Sequence, residues 1–265
     1  MIKINKDLDD IPESLLVSMT NSTHLARLDV IGNGSYYNEK TYNKLYKKDD
    51  IKDKLNSYYY HKCAYCEQRV EQIHVEHYRP KKEKGSDSYA YYWLGFSWDN
   101  LLVSCPTCNS KKGNKFRIRN NRVTFVQNGA NINDINCLSS GYDLTEEPFM
   151  VNPEVTDPNN YIHFTIDGKM TSEDENFKYT IDEVCKLSRK DLNDQRRKII
   201  EDFRNNLRAE IGLCQSADKQ KDVIGIFIRN WIKDSKNELN TFLAFRRYII
   251  EKKHLNQIIK EIIIS

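Results

Sequence analysis

Length, composition and charge set the first limits on this chain. Its 265 residues suffice for one large domain or a small domain with extensions, and a hydrophobic content of 39% allows a real core. Charged residues make up 30%, and no apolar run has the length of a signal peptide or a membrane-spanning helix, so we exclude a membrane protein and expect the cytosol. The net charge is +3, so any nucleic-acid surface must come from local clustering of basic residues.

The predicted elements divide the chain into three regions. Residues 1–60 are predicted to be a helical lead-in, because Tyr, Leu and Lys recur at helical spacing from Glu39 to Tyr60. Residues 61–122 hold most of the motifs. Residues 123–265 are predicted to be mainly helical, and we expect this last region to be available for docking a partner.

Three features shape the prediction for the last region. Tyr161 to Ile166 alternates as a strand does, and an Asp-Gly turn signal follows it. Thr180 and Glu183 have the spacing of a capping box, which predicts a helix that begins there. Isoleucines crowd the segment 258–264, and we expect them to dock into the core, with a partner-binding helix as the alternative.

Four of the seven cysteines form two CxxC pairs, and the odd total argues against a disulfide framework in a cytosolic chain. A CxxC turn directs two sulfurs at one metal ion, so two such turns complete a tetrahedral site. The predicted zinc ligands are Cys63, Cys66, Cys105 and Cys108. Four thiolates fill the coordination sphere, so this zinc is predicted to be structural and any hydrolytic metal must lie elsewhere. The isolated cysteines are predicted to be small core residues: Cys137, Cys185 and Cys214.

The segment between the pairs carries a second set of polar residues. Ile73–Pro80 alternates apolar and polar residues, which predicts a half-buried strand with Glu76-His77 near its end. Trp98–Ser104 predicts a loop that contains Asn100 and leads into a short apolar strand. Asn109 follows the second cysteine pair and is predicted to lie in the first turn of a helix. We call each CxxC turn a zinc knuckle. The order along the chain is therefore knuckle, strand, loop, strand, knuckle and helix.

This order resembles the HNH endonucleases, the ββα-metal class, over about residues 60–120. The wider stretches CAYCEQ, VEHYRPK, YYWLGFSWDNLLVSCPTCNSKKGNK and EEPFMVNPEVTDP resemble the HNH nucleases of the Septu and retron-associated anti-phage systems. The resemblance implies an α+β fold, in which a small ββα-metal core with a four-cysteine zinc knuckle is embedded in a mainly helical protein. It also implies hydrolysis of DNA and control by an ATPase partner of the PtuA type, since the chain has no GxxxxGK[ST] phosphate loop of its own.

The same resemblance implies roles for individual residues. His77 is expected to be the general base, because imidazole titrates near neutral pH, and Asn100 is expected to hold the loop and orient it. Glu76 and Asn109 are expected to bind a catalytic Mg²⁺ or Mn²⁺. Both depart from the family pattern, in which Asp usually precedes the base and His takes the last position, so metal preference stays open. His74 is a competing base, but no acidic residue adjoins it.

Basic residues flank this predicted site on both sides, where they could bind phosphates of a nucleic acid. The residues assigned to this surface are Arg79, Lys81, Lys82, Lys111, Lys112, Lys115, Arg117 and Arg119. No recognition helix or repeat is evident, so weak sequence specificity is expected. Two alternatives stay open: the same nuclease acting on RNA, and a non-catalytic zinc module that binds nucleic acid or bridges proteins.

Overall fold

The computed structural model describes residues 1–82, 91–125 and 131–264, and helices predominate among them. The helices are α1 Ser22–Gly32, α2 Glu39–Leu45, α3 Asp49–Tyr59, α4 Pro106–Lys112, α5 Leu138–Gly141, α6 Asp143–Glu146, α7 Glu175–Lys178, α8 Lys190–Gly212, α9 Ala217–Lys236, α10 Leu243–Glu251 and α11 His254–Ile264. The strands are β1 His74–His77, β2 Leu101–Ser104, β3 His163–Phe164 and β4 Met170–Thr171. Short 3₁₀ segments are Glu13–Leu15, Tyr92–Phe96, Trp98–Asn100 and Ile132–Asp134, and Tyr179–Val184 is a π-helical segment.

A small ββα unit lies at the centre of the chain. β1 pairs antiparallel with β2, so that His74 faces Ser104 and His77 faces Leu101. Helix α4 follows β2 directly, with Pro106 at its first position, where a missing backbone N–H costs nothing, and it packs on β1. This unit within a mainly helical protein confirms the predicted α+β fold class. The helix begins earlier than predicted, so Asn109 is its fourth residue.

The amino-terminal region forms three helices around this unit, and the helical spacing from Glu39 to Tyr60 covers two of them, α2 and α3. The side chain of Asn21 caps α1 by accepting from the Thr23 N–H at 2.8 Å. α1 packs on the Tyr92–Phe96 segment, and α3 packs on β2. In the segment that precedes these helices, Ile2 and Ile4 are buried. The amino-terminal region therefore covers the unit on the side of the loop before β2.

The carboxy-terminal region is built from long helices. α8 and α9 pack against each other, α10 packs on α9, and α11 packs on both α8 and α10. Ile258, Ile259 and Ile262 are buried, which confirms that this segment docks into the core, whereas Ile263 and Ile264 are exposed. Among the described residues no helix combines the length and the apolar character needed to cross a membrane.

The capping-box prediction at Thr180 is wrong. Thr180 lies inside the π-helical segment, where its hydroxyl donates to the Asn176 carbonyl and accepts from the Val151 N–H. Its side chain is therefore engaged with the preceding turn and with a distant segment, and cannot cap a helix that starts there. The long helix begins ten residues later, at Lys190.

The prediction for the isolated cysteines is correct for one of the three. Cys185 is buried, but Cys214 is only half-buried and Cys137 is exposed. Cys137 directly precedes α5, where the neighbouring Ile135 and Ser139 are buried and Cys137 is not. Residue type alone therefore did not fix the environment of these cysteines.

Candidate active site and metal centre

The four paired cysteines form one cluster. All four are buried, and their Sγ atoms lie within 4.8 Å of one another. The Sγ atoms of Cys66 and Cys105 are 3.7 Å apart. A tetrahedral zinc with Zn–S bonds near 2.3 Å requires about 3.8 Å between sulfurs, so the cluster fits this metal. With four thiolate ligands such a zinc keeps no open position and has a structural role.

Backbone contacts and one distant side chain hold the cluster together. The Ala64 N–H donates to the Val103 carbonyl at 2.9 Å, which ties the first knuckle to β2. In the second knuckle the Cys108 N–H donates to Cys105 Sγ at 3.3 Å. Arg189, at the start of α8, donates to Cys108 Sγ at 3.6 Å. Donors of this kind stabilise thiolate ligands, so the helical region contributes one contact to the cluster.

Glu76 lies in β1 with its carboxylate almost enclosed, at 6% exposure. Its Oε1 accepts from the His77 N–H at 3.0 Å and from Lys112 Nζ at 3.1 Å. Burial raises the pKa of Glu76, and Lys112 opposes this by favouring the charged form. Asn109 lies one turn before Lys112 in α4 and lines a pocket together with His74. The Glu76 carboxylate therefore links β1 to α4 through Lys112, and its oxygens and the amide oxygen of Asn109 are ligands of the kind that Mg²⁺ prefers.

His77 is buried at 7% exposure, and its Nε2 lies 2.9 Å from the Gly95 carbonyl oxygen. A carbonyl can only accept, so Nε2 carries the proton and the lone pair of the neutral ring is on Nδ1. Burial, together with the nearby charges of Lys81 and Lys112, holds the pKa of His77 well below its usual range. The Tyr46 ring packs edge-on at a centroid distance of 4.6 Å. His77 is therefore neutral at pH 7, with a defined tautomer and orientation.

Asn100 connects the strand that carries His77 to the loop that holds its ring. Its Nδ2 donates to the carbonyls of Leu94 at 3.1 Å and Arg79 at 3.0 Å, while its Oδ1 accepts from the Arg79 N–H at 2.8 Å. The amide therefore uses both of its ends on backbone groups. These contacts fit the orienting role predicted for Asn100, because the Leu94 carbonyl directly precedes Gly95.

Arg27 binds the carbonyl of the residue after Gly95, and the sequence reasoning missed it. Its fully buried guanidinium donates to the Phe96 carbonyl at 2.6 Å, and burial lowers its pKa to about 10. Gly95 itself is needed there, because a Cβ would lie 2.7 Å from the Tyr36 ring. The sequence signal for Arg27 was a charged residue on the face of α1 that also carries Thr23, Ala26 and Val30, which are all buried.

Two of the basic residues predicted to bind nucleic acid are instead buried. Arg79 is 0% exposed and pairs with Glu146 at 2.9 Å and with Asp143 at 2.6 Å. Lys112 is 1% exposed and pairs with Glu76. Their charges are needed to neutralise buried carboxylates, so they cannot present themselves to a phosphate backbone. The sequence reasoning did not separate these counter-ions from surface cations.

The other basic residues of that set differ in their surroundings. Lys81 is half-buried, with Nζ 2.6 Å from Asn43 Oδ1 and 2.9 Å from the Tyr46 hydroxyl, and burial lowers its pKa to about 7. Lys82 pairs with Glu39 at 2.6 Å. Exposed positions at the end of α4 and beyond it are held by Lys111, Lys115, Arg117 and Arg119. Their contact with nucleic acid stays a prediction.

Comparison with known proteins identifies the class. Residues 63–115 match the model of the HNH endonuclease family, and this segment contains the cysteine cluster and Glu76, His77, Asn100 and Asn109. The chain therefore carries an HNH endonuclease domain and is a nuclease.

The particular relatives are two proteins that are both named Septu protein PtuB. The chain is 26% identical over 247 residues to the protein of Bacillus mycoides (strain KBAB4), a match that covers 84% of this chain and 78% of the relative. It is 31% identical over 134 residues to the protein of Bacillus thuringiensis, which covers 48% of this chain and 38% of that relative. The predicted resemblance is thus confirmed, while the roles of individual residues stay predictions.

Proposed function

We propose that this protein is a metal-dependent HNH endonuclease that hydrolyses phosphodiester bonds of DNA, with Glu76, His77, Asn100 and Asn109 at its active site. The contact between His77 Nε2 and the Gly95 carbonyl carries the assignment of the base. It leaves Nδ1 with a free lone pair, in a ring that burial keeps neutral at working pH. His74 has no comparable contact among the hydrogen bonds of the described residues and is exposed, so we assign the base to His77.

The residues of the chain divide the hydrolytic step among them. His77 Nδ1 takes a proton from the attacking water, whose oxygen forms the new bond to phosphorus as the leaving oxygen departs. Asn100 and Gly95 keep the imidazole oriented during the transfer. Glu76 and Asn109 would hold a Mg²⁺ or Mn²⁺, which would stabilise charge on the phosphate and on the leaving oxygen. Lys112 would neutralise part of the Glu76 charge in this buried setting.

We further propose that the nuclease acts in a cytoplasmic anti-phage system under the control of an ATPase of the PtuA type. Support comes from the two relatives named Septu protein PtuB, one of which matches most of this chain. In this proposal residues 61–122 form the nuclease core, residues 1–60 form a helical lead-in, and residues 123–265 serve as the docking region for the ATPase.

A cleavage assay tests the proposal. The wild type and His77→Ala are incubated with plasmid DNA and, separately, with RNA, in Mg²⁺ or Mn²⁺, with and without the ATPase. Loss of the base is expected to slow DNA cleavage by about 10²- to 10⁴-fold. His254→Ala is the matched control, since His254 lies in the last helix against Tyr248.

Three results would contradict the proposal. Undiminished cleavage by His77→Ala rejects the base assignment. Cleavage of RNA but not of DNA would show that the substrate is RNA and not DNA. No cleavage of either nucleic acid by the wild type, even with the ATPase present, rejects the catalytic function as proposed.

A further inference from the structure

We infer that a pocket beside the active site, lined by Lys47, Lys52 and His74, binds a phosphate of the nucleic-acid backbone next to the one that is cut. The location of the cut rests on the proposed function, whereas phosphate binding in the pocket does not. None of these residues was assigned to the nucleic-acid surface by the sequence pattern, and both lysines lie outside the segment that matches the HNH family.

The pocket has a volume of about 280 Å³ and four segments contribute to it. Tyr46 and Lys47 come from the turn that directly follows α2, and Lys52 comes from α3. His74 comes from β1, and Asn109 comes from α4. The helical lead-in therefore forms one wall and the ββα unit forms the other.

Two of these residues also belong to the active site, which places the pocket directly beside it. Asn109 is a proposed ligand of the catalytic cation and lines the pocket. Tyr46 lines it as well, and its ring packs against the imidazole of His77 at 4.6 Å between centroids. A nucleic-acid backbone that passes the proposed base and metal ligands therefore reaches this pocket at the adjoining nucleotide.

The chemistry of the lining fits a phosphate. Lys47 and Lys52 bring two ammonium groups, and His74 adds an imidazole. Among the described residues that line the pocket, none carries a carboxylate. Lys47 Nζ lies 5.6 Å from the centre of the Tyr46 ring, and both residues line the pocket. Two point charges recognise a phosphodiester without reading a base, which agrees with weak sequence specificity.

Lys52 has a partner that a phosphate can replace. Its Nζ lies 2.9 Å from Asp49 Oδ1, but the Asp49 side chain is 89% exposed and that of Lys52 is 35% exposed. An exposed ion pair of this kind contributes little to stability, so exchanging the carboxylate for a phosphate costs little. Asp49 therefore competes with the substrate, and removing its charge should strengthen binding.

Binding of nucleic acid by the full, zinc-loaded chain tests the inference. Fluorescence anisotropy is measured across a salt series without added Mg²⁺ or Mn²⁺, with labelled duplex DNA and, in a second arm, single-stranded RNA. Replacing both lysines (Lys47→Ala with Lys52→Ala) should reduce the slope of log K against log salt by about 1.8 for the duplex and about 1.4 for the single strand. Lys219→Ala with Lys221→Ala removes the same charge from the exposed face of α9 and should leave the slope unchanged.

Two further variants separate charge from folding. Lys47→Arg with Lys52→Arg keeps both charges and should retain the wild-type slope. Asp49→Asn frees Lys52 and should raise the affinity by roughly two- to five-fold, which a defect in folding would not do. A slope that is equal in the wild type and the alanine pair, a wild type that binds neither nucleic acid, or no gain from Asp49→Asn would each overturn the inference.

This inference and the proposed function can fail separately. If the slope falls as expected while no preparation cleaves DNA, the phosphate pocket stands and the proposed activity fails. If the wild type cleaves DNA while the alanine pair keeps the full slope, the activity stands and the pocket is rejected. The two nucleic-acid arms show which backbone the pocket accepts.

Discussion

The cysteine cluster and the Glu76–His77 site share one ββα unit, but they depend on different parts of the chain. The four ligands of the cluster and most of the contacts that hold them lie within the two CxxC turns and β2. The His77 ring instead contacts the Gly95 carbonyl and the Tyr46 ring, which come from separate segments. A metal site can therefore be local in sequence while the adjacent catalytic site is assembled from distant parts.

The two sites also differ in how their charges are balanced. Four thiolates within 4.8 Å of one another repel unless a cation lies between them. The Glu76 carboxylate already has a protein counter-ion, Lys112. Removing the structural metal should therefore unfold the knuckle, whereas the catalytic site should stay folded without its cation.

The largest expected effect comes from the cluster. Cys105→Ser removes one thiolate and should abolish zinc binding and unfold the ββα unit, since structural zinc sites contribute about 10 kcal/mol or more to folding. Elemental analysis and circular dichroism measure the two losses. Cys137→Ser is the matched control because Cys137 is exposed and outside the cluster, so it should keep full zinc content. Unchanged zinc in Cys105→Ser would reject the four-thiolate site.

An intermediate effect is expected from the buried ion cluster of Arg79, Asp143 and Glu146. Glu146 is fully buried and accepts from Arg79 Nε at 2.9 Å and from the Tyr91 hydroxyl at 2.8 Å. Of the two carboxylates that pair with Arg79, Glu146→Ala leaves only the partly exposed Asp143, so the free energy of unfolding should fall by about 3–5 kcal/mol. Urea denaturation measures this loss.

The zinc content of Glu146→Ala tests whether the cysteine cluster is independent of this ion cluster. Glu146→Ala should keep its zinc, because the cluster does not depend on Arg79. Glu147→Ala changes the exposed neighbour and should cost no more than about 1 kcal/mol. Loss of zinc in Glu146→Ala would show that the cluster, too, depends on the remote network.

The smallest expected effect concerns Asp99, next to Asn100. Burial raises the pKa of Asp99 from 3.8 to about 6, against the opposing hydrogen bonds from Ser97 and Ser140. Since the folded pKa is the higher one, the stabilising contribution of the protonated form is complete below pH 3.8 and is lost as the pH rises through 6. Asp99→Asn should therefore raise the free energy of unfolding at pH 7–8 by about 1–3 kcal/mol, with no gain near pH 4.

Urea denaturation between pH 4 and pH 8 checks this prediction. Asp134→Asn is the control, because Asp134 is exposed. A gain for Asp99→Asn that is the same at every pH would show that the ionisation of Asp99 is not its cause.

Much of the local architecture was predictable from the sequence. The alternation before Pro80 predicted β1, and the apolar run before Cys105 predicted β2. Both patterns are readable because successive side chains of a strand lie on opposite faces of the sheet. The start of the long helix was not predictable from Thr180 and Glu183. Capping depends on which backbone group the hydroxyl meets, and in the fold that group is the Asn176 carbonyl.

By itself, the sequence determined the four-cysteine cluster and the order of the ββα unit, since motif spacing encodes local geometry. Glu76, His77, Asn100 and Asn109 became candidates through the resemblance of this stretch to HNH endonucleases. The tertiary structure decided which cations are buried counter-ions, that Gly95 and Tyr46 contact His77, and that Lys47 and Lys52 line the adjoining pocket. Burial and charge balance arise only when segments distant in the chain meet, so no local pattern records them.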